Sequence, residues 1–317
     1  MHQGSDNRAT RLNQQLRLAS IPCFSHFPCS PFQLADLLPW AVHTLVQTGI
    51  ERAGFEVQLL LAQALGVSRV AVITGSLPPP DEEQIVKFVR LIAKRAKRVP
   101  LAYLRGDQEF YGLPFRVSPA VLIPRPETEM LVDAAVRDYR RGQYVPERPF
   151  MVADIGTGSG CIAISILACC PAARAVGYDI SRRAVAVARK NAAMNGVAAR
   201  FRLVRSDRFT AAEHGGYDVI VSNPPYIPTG EILQLQPEVR DYEPRLALDG
   251  GPDGLGFYPG LASEARRALR PGGHLYVEVG QGQAQLVAEI FRAAGLNEVE
   301  VYPDLAGIER VVGGAKR

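Results

Sequence analysis

Apolar positions along the chain keep a helical period up to about residue 100, then change it twice. Leu34, Leu37 and Leu38 precede Trp40, Leu45 and Val46, and a second apolar run from Phe55 to Leu61 ends near Gly66. Pro78-Pro79-Pro80 interrupts the pattern. Asp81 is then placed to cap a further helix, with Glu82 and Glu83 in its first turn. In that helix Ile85, Phe88, Val89, Ile92, Ala96 and Val99 recur at helical spacing and predict one buried face. Lys87, Arg90, Lys94, Arg95, Lys97 and Arg98 take the remaining positions, and Pro100 ends the helix. Around Gly112 the period shortens, and Phe110, Phe115 and Val117 predict a β-hairpin. Another helix is expected to open at Pro126, with Glu127 and Glu129 at its start.

From residue 150 onward strand-like and helix-like runs alternate. Strands are expected over 150–155, 174–178, 201–204, 217–222 and 274–279, with two more near 298–302 and 310–312. Helices are expected over 161–168, 182–194, 261–269 and 284–294. This is the βαβ rhythm of a doubly wound α/β sheet. Four segments follow: a poorly ordered extension over 1–31, a helical domain over 32–105, a hairpin linker over 106–124 and an α/β domain over 125–317.

A length of 317 residues suits two domains. With 47% apolar and 21% charged residues the chain is globular, not disordered. No apolar run reaches the ~18 residues of a membrane span. The first residues, Met1 to Leu18, lack a secretory apolar core, so a cytoplasmic location is expected. Five cysteines without a C-x-x-C predict no disulfide framework. Cys23 and Cys29 bracket His26, but the spacing fits no zinc pattern and a fourth ligand is missing, so no metal is expected. The net charge of +4 becomes informative when divided. Residues 1–124 carry 13 Lys/Arg and 9 Asp/Glu, whereas residues 125–317 carry 23 of each. The α/β part thus lacks the basic excess expected of a duplex-binding domain. The basic helix after Gln84 reads either as a solvated face or as a docking surface for an acidic partner.

Candidate chemistry lies at the strand ends. Asp154-Ile155-Gly156-Thr157-Gly158-Ser159-Gly160 follows the first strand of the α/β part, where open sheets bind ligands. Asp179 ends the second strand and suits ribose hydroxyls, and Asp207 after the third suits an adenine amino group. Three acids at three successive strand ends predict a nucleoside pocket, and by themselves leave NAD and S-adenosyl-L-methionine (SAM) open. An acid two residues before the first glycine favours SAM, whose ammonium needs an anion. After the fourth strand comes Ser222-Asn223-Pro224-Pro225-Tyr226. It is either a Pro-rich turn with an Asn cap or a catalytic loop. In the second reading the Asn223 side-chain oxygen and the Pro224 carbonyl hold a planar –NH₂ group by its two protons, and Tyr226 supplies an aromatic wall. Such acceptors favour positive charge developing on nitrogen during attack. That chemistry is N-methylation and selects SAM over NAD.

Asn-Pro-Pro-Tyr is shared by adenine-N6 nucleic-acid methyltransferases and glutamine-N5 protein methyltransferases. Other strings favour the second. Arg98-Val99-Pro100-Leu101-Ala102-Tyr103-Leu104-Arg105-Gly106 and Glu109-Phe110-Tyr111-Gly112-Leu113 resemble the release-factor glutamine methyltransferase family. So do Leu122-Ile123-Pro124-Arg125-Pro126-Glu127-Thr128-Glu129, Tyr242-Glu243-Pro244-Arg245-Leu246-Ala247-Leu248 and Gly250-Gly251-Pro252-Asp253-Gly254-Leu255. Pro271-Gly272-Gly273 and Glu278-Val279-Gly280-Gln281-Gly282-Gln283 continue the resemblance, which spans roughly residues 34–314. It implies a Rossmann-like class I SAM-dependent methyltransferase domain, preceded by a small helical substrate-docking domain and a hairpin linker. The implied substrate is the glutamine of the Gly-Gly-Gln motif in peptide chain release factors. The implied SAM site is Asp154, Ile155, Gly156, Thr157, Gly158, Asp179, Asp207, Arg208 and Asn223; the glutamine site is Asn223, Pro224, Pro225 and Tyr226. Arg208 stands where many members carry a Trp against the adenine. The Ile123–Glu129 string starts a helix or closes over the methionine end of SAM, and Glu243 is a turn acid or a support for the active loop. No metal, membrane or direct nucleic-acid contact is expected, and a monomer is. The rival readings are an adenine-N6 methyltransferase, a non-catalytic module with a residual SAM site, and a dinucleotide oxidoreductase.

Overall fold

The computed structural model describes residues 34–141, 148–207 and 216–317. The 1–31 extension, with Cys23, His26 and Cys29, and Arg208 lie outside the described residues. The chain divides into two compact units, Met1–Arg105 and Gly106–Arg317.

The first unit is helical: α1 (Leu34–Gln47), α2 (Ala53–Leu65), α3 (Arg69–Thr74), α4 (Glu82–Ala96) and α5 (Leu101–Arg105). Left-handed Gly66 closes α2 (φ 69°). Asp81 caps α4 through a reciprocal pair, Gln84 N–H donating to Asp81 Oδ1 at 2.8 Å and Asp81 N–H to Gln84 Oε1 at 3.0 Å. The buried face of α4 is rotated from the expected one. Val86 and Ala93 are buried beside Phe88, Val89 and Ile92, while Ile85, Ala96 and Val99 are half-buried. Arg95 also departs from its expected place on the basic face: it is 5% exposed and pairs with Glu56 of α2 at 2.5 Å. An apolar-only pattern cannot register a charge that its partner helix neutralises. The short helices α3 and α5 carry too few periodic positions to be read beforehand.

The second unit begins with β1 (Asp107–Phe110) and β2 (Leu113–Arg116), paired antiparallel. Tyr111 and Gly112 both take positive φ (52° and 71°), the backbone of a type I′ turn. The hairpin expected as a linker sends Phe110 and Phe115 into the core of this unit. A 3₁₀ turn at Pro126–Thr128 leads into α6 (Glu129–Arg140).

The main sheet contains β3 (Phe150–Ile155), β4 (Ala173–Asp179), β5 (Phe201–Arg205), β6 (Tyr217–Ser222), β7 (Leu269–Glu278), β8 (Asn297–Pro303) and β9 (Glu309–Ala315). Their order is β5-β4-β3-β6-β7-β9-β8. The first five run parallel, and β9 is antiparallel to both β7 and β8. Helices α7 (Cys161–Cys169), α8 (Arg182–Met194), α9 (Pro237–Tyr242), α10 (Tyr258–Ala268) and α11 (Ala284–Ala293) lie on the connections. β3 and β6 are almost wholly buried, which is why they read as continuous apolar runs. One core lies under α6–α8 and the other under α10 and α11. Strand order reverses between β3 and β6, and that crevice is the switch point of the sheet.

Gly177 on β4 leaves room for the loop that follows β3. A Cβ there would lie 2.8 Å from the Phe201 ring and 2.9 Å from Thr157 Oγ1. Gly177→Ala is therefore expected to destabilise the fold by ~1–3 kcal/mol. Urea unfolding should show a lower midpoint at unchanged slope; a wild-type midpoint would contradict this packing.

Candidate active site

The carboxyl ends of β3, β4, β5 and β6 open onto a cavity of about 550 Å³. Its floor carries Ile155, Gly156, Thr157 and Gly158 after β3, Asp179 and Ile180 after β4, and Ser206 and Asp207 after β5. Asn223, Pro224 and Pro225 enter from β6, and segments around Val121–Thr128 and Pro244–Phe257 complete the wall. The cavity lining thus includes nine of the residues singled out in the sequence and leaves out Asp154 and Tyr226.

The β3 loop is tight because Gly156, Gly158 and Gly160 hold left-handed backbone (φ 71°, 55° and 82°). Asp179 fastens it, accepting from Gly158 N–H at 2.9 Å and from Ser181 N–H at 2.8 Å. Burial raises the Asp179 carboxyl above its ordinary value, and these two bonds restrain it. Asp154 is not on the wall; it lies fully buried beneath the loop. Its Oδ2 accepts from Thr157 Oγ1 at 2.7 Å and from Ala163 N–H at 3.3 Å. Its Oδ1 has no partner among the described residues. Burial, with Asp179 adding to it, pushes this carboxyl up to about 6.

The loop after β6 is held from behind. Asn223 Nδ2 donates to Thr128 Oγ1 at 3.0 Å, and Thr128 Oγ1 donates to Glu278 Oε2 at 2.6 Å. Among the described residues neither Asn223 Oδ1 nor the Pro224 carbonyl accepts a hydrogen bond. Tyr226 is half-buried. It is absent from the cavity border, packs against the core under α10, and donates its hydroxyl to Glu278 Oε1 at 3.2 Å. The Tyr226 carbonyl accepts from Gln283 Nε2 at 2.9 Å. Ile227 N–H donates to Leu248 O at 3.0 Å, and Gly250 N–H to Ile227 O at 2.9 Å. Burial pushes the Glu278 carboxyl up to about 7, against the pull of Thr128 and Tyr226.

Across the cavity, Arg125 pairs with Glu243, which also accepts from Ile123 N–H at 3.3 Å. Burial raises the Glu243 carboxyl, and Arg125 draws it back. Glu243 therefore fastens the Ile123–Arg125 segment to the stretch beyond the β6 loop. Glu278 and Gln283 received no role from sequence reasoning, and Thr128 figured only as one residue of the Ile123–Glu129 string. Their only signal was membership of uncommon strings, because their partners lie 52 to 150 residues away.

Residues 36–106 match the PrmC N-terminal domain model, and residues 143–235 match the methyltransferase small domain model. A Geobacter sulfurreducens protein named release factor glutamine methyltransferase is 45% identical over 281 residues, 89% of this chain and 96% of that one. The chain belongs to the release factor glutamine methyltransferase family. A second member, from Caulobacter vibrioides, is 43% identical over 273 residues, 86% of this chain and 92% of that one. Family membership sets aside the oxidoreductase reading of the glycine turn. A solved structure described as the hMettl16 catalytic domain in complex with MAT2A 3'UTR hairpin 6 shares the fold. It has a TM-score of 0.54 and 16% identity, covering 72% of this chain and 81% of that one.

Gly254 (φ 75°) presses against the back of the β6 loop: a Cβ there would lie 2.3 Å from the Tyr226 carbonyl and 2.6 Å from Gln283 Nε2. Gly254→Ala is expected to lower stability by ~1–3 kcal/mol and methyl transfer by about 10²-fold, the order that a small displacement of positioned groups costs. Full activity at a wild-type unfolding midpoint would show that the loop yields freely.

Proposed function

We propose that this protein transfers a methyl group from SAM to the side-chain N5 of the glutamine in the Gly-Gly-Gln motif of peptide chain release factors. The observation that carries this reading is the pair of unengaged acceptors, Asn223 Oδ1 and the Pro224 carbonyl, on two successive residues that line the cavity. A primary amide offers two coplanar N–H donors, which that pair matches. The family relationship points the same way. So does the charge balance of residues 125–317, which gives no electrostatic support to the adenine-N6 alternative.

The residues fit the cofactor. Asp154 offers a buried oxygen that lacks a partner, suited to the ammonium of SAM. Asp179 suits the ribose hydroxyls and Asp207 the adenine amino group, with Ile180, 44% exposed on the wall, as an apolar face for the base. Arg208 is retained as a proposed adenine contact. When bound, SAM supplies a methyl group on a sulfonium, an electrophile that needs no further activation.

The chain's own residues then orient the nucleophile. Asn223 and Pro224 accept the two amide protons and fix the nitrogen's attitude. As attack proceeds, positive charge grows on that nitrogen, and the two oxygens stabilise it. Pro225 lines the wall, and Tyr226 braces the loop from behind. We assign residues 32–105 to substrate docking, 106–124 to a hairpin link and 125–317 to catalysis. The protein acts in the cytoplasm as a monomer. Among the described residues no helix is long and apolar enough to cross a membrane.

Labelled SAM should mark a release factor, and the label should vanish when the motif Gln is replaced by Ala; label on adenine-containing DNA alone would overturn the proposal. Asn223→Ala should lower kcat by at least ~10²-fold while cofactor binding survives. Cofactor affinity should weaken as pH falls through about 6. A cation favours ionised Asp154, so protons compete, and Kd should rise roughly tenfold per pH unit below that value. Calorimetry on Asp154→Asn should give weak binding without this dependence.

A further inference from the structure

Thr128 has one hydroxyl proton. It is committed to Glu278 Oε2 at 2.6 Å, inside a region where Thr128 and Glu278 are each 2% exposed. An ionised carboxylate only accepts, so Thr128 must turn a lone pair toward Asn223. That lone pair takes the Asn223 Nδ2 donor at 3.0 Å. The opposite amide rotamer would set two acceptor oxygens against each other. A carboxylate two hydrogen bonds away from Asn223 therefore decides which end of that amide faces the cavity. Tyr226 closes the same array by donating to the other Glu278 oxygen at 3.2 Å.

We propose that Glu278 and Thr128 are positioning residues that hold the Asn223 amide with its oxygen toward the cavity, and that they do so only while Glu278 is ionised. The proposal deepens the function above and rests on its reading of Asn223 as a substrate acceptor. A neutral Glu278 carries its own proton and can donate it to Thr128. The Thr128 proton is then free to meet Asn223 Oδ1. Rotation of the amide presents Nδ2 to the cavity, and a donor there opposes the –NH₂ of the substrate.

The surroundings make Glu278 titratable in the working range. Facing it are Thr128 and Glu127 from the 3₁₀ turn before α6, Cys161 from α7, Tyr226 from the β6 loop and Arg310 from β9; Tyr258 of α10 donates to the Glu278 backbone carbonyl at 3.0 Å. Burial and Glu127 push the carboxyl up to about 7, while Thr128, Tyr226 and Arg310 draw it down. Below that value the neutral form gains, and the competent amide rotamer is lost.

The test is the side-chain amide of Asn223, read by ¹⁵N NMR on the full chain between pH 5.5 and 8.5 and assigned by its loss in Asn223→Ala. In the unsubstituted protein its two proton signals should shift with one midpoint near 7. Thr128→Ser should keep that titration, whereas Thr128→Val and Glu278→Gln should abolish it. In parallel, kcat at saturating cofactor should fall roughly tenfold per pH unit below the midpoint. Glu278→Gln should give a low kcat without that acid limb, its cofactor affinity unchanged. An Asn223 signal that does not titrate in the unsubstituted protein, or an acid limb that survives in Glu278→Gln, would overturn the proposal. Absence of methyl transfer to every release factor would instead sink the functional reading, and the NMR titration would still decide the relay.

Discussion

Everything in this site depends on a loop that cannot hold itself. Pro225 pushes Pro224 toward extended backbone and so disfavours the commonest turn, and no backbone hydrogen bond closes Asn223–Tyr226 on itself. Its shape comes from outside: Gln283 holds the Tyr226 carbonyl, Leu248 and Gly250 bracket Ile227, and Gly250 and Gly254 press on its rear. The stiff prolines and the external grip together leave two oxygens unengaged at the cavity. A loop rich in its own N–H groups would have consumed them.

Two buried carboxylates frame that loop, and they solve different problems. Asp154 sits beneath the glycine turn with one oxygen satisfied and one not. Glu278 sits behind the proline loop with both oxygens occupied by hydroxyl donors. Leaving a buried acceptor unpaired is costly, so the first arrangement makes sense where a ligand completes it. The second makes sense where the protein is its own ligand and orientation is the product. Glu278 stays off the cavity wall and acts through Thr128 on Asn223, whereas Asp154 keeps one oxygen for the ligand itself.

How far sequence reasoning reached follows from the range of the forces involved. β3 and β6 were legible to the residue because strands buried on both faces are continuous apolar runs between turns. The strand-end acids and the proline loop were legible because their chemistry sits at fixed offsets from those strands. Arg95 was misplaced because its burial depends on Glu56, which lies on another helix. The partner of the Tyr226 hydroxyl was illegible for the same reason: Glu278 lies 52 residues away. Thr128 illustrates the limit. Shortly after Pro124 and Pro126 it looks like part of a helix start, and only contact with Glu278, 150 residues on, reveals it as part of an amide-orienting chain.

The strand order carries one more consequence, for the way the protein is made. β9 lies between β7 and β8, although β8 precedes it in the chain. During synthesis, then, β7 emerges with a bare edge, and β8 follows with nothing beside it to join. The five parallel strands can assemble around the cavity while that edge stays open. An unpaired edge strand invites pairing with a foreign chain, and β7 is open to it until β9 emerges. Glu278 ends β7, and Val311 pairs with it across the last strand. Glu278 thus sits on a strand whose outer edge β9 covers, and β8 takes over as the edge of the sheet on that side.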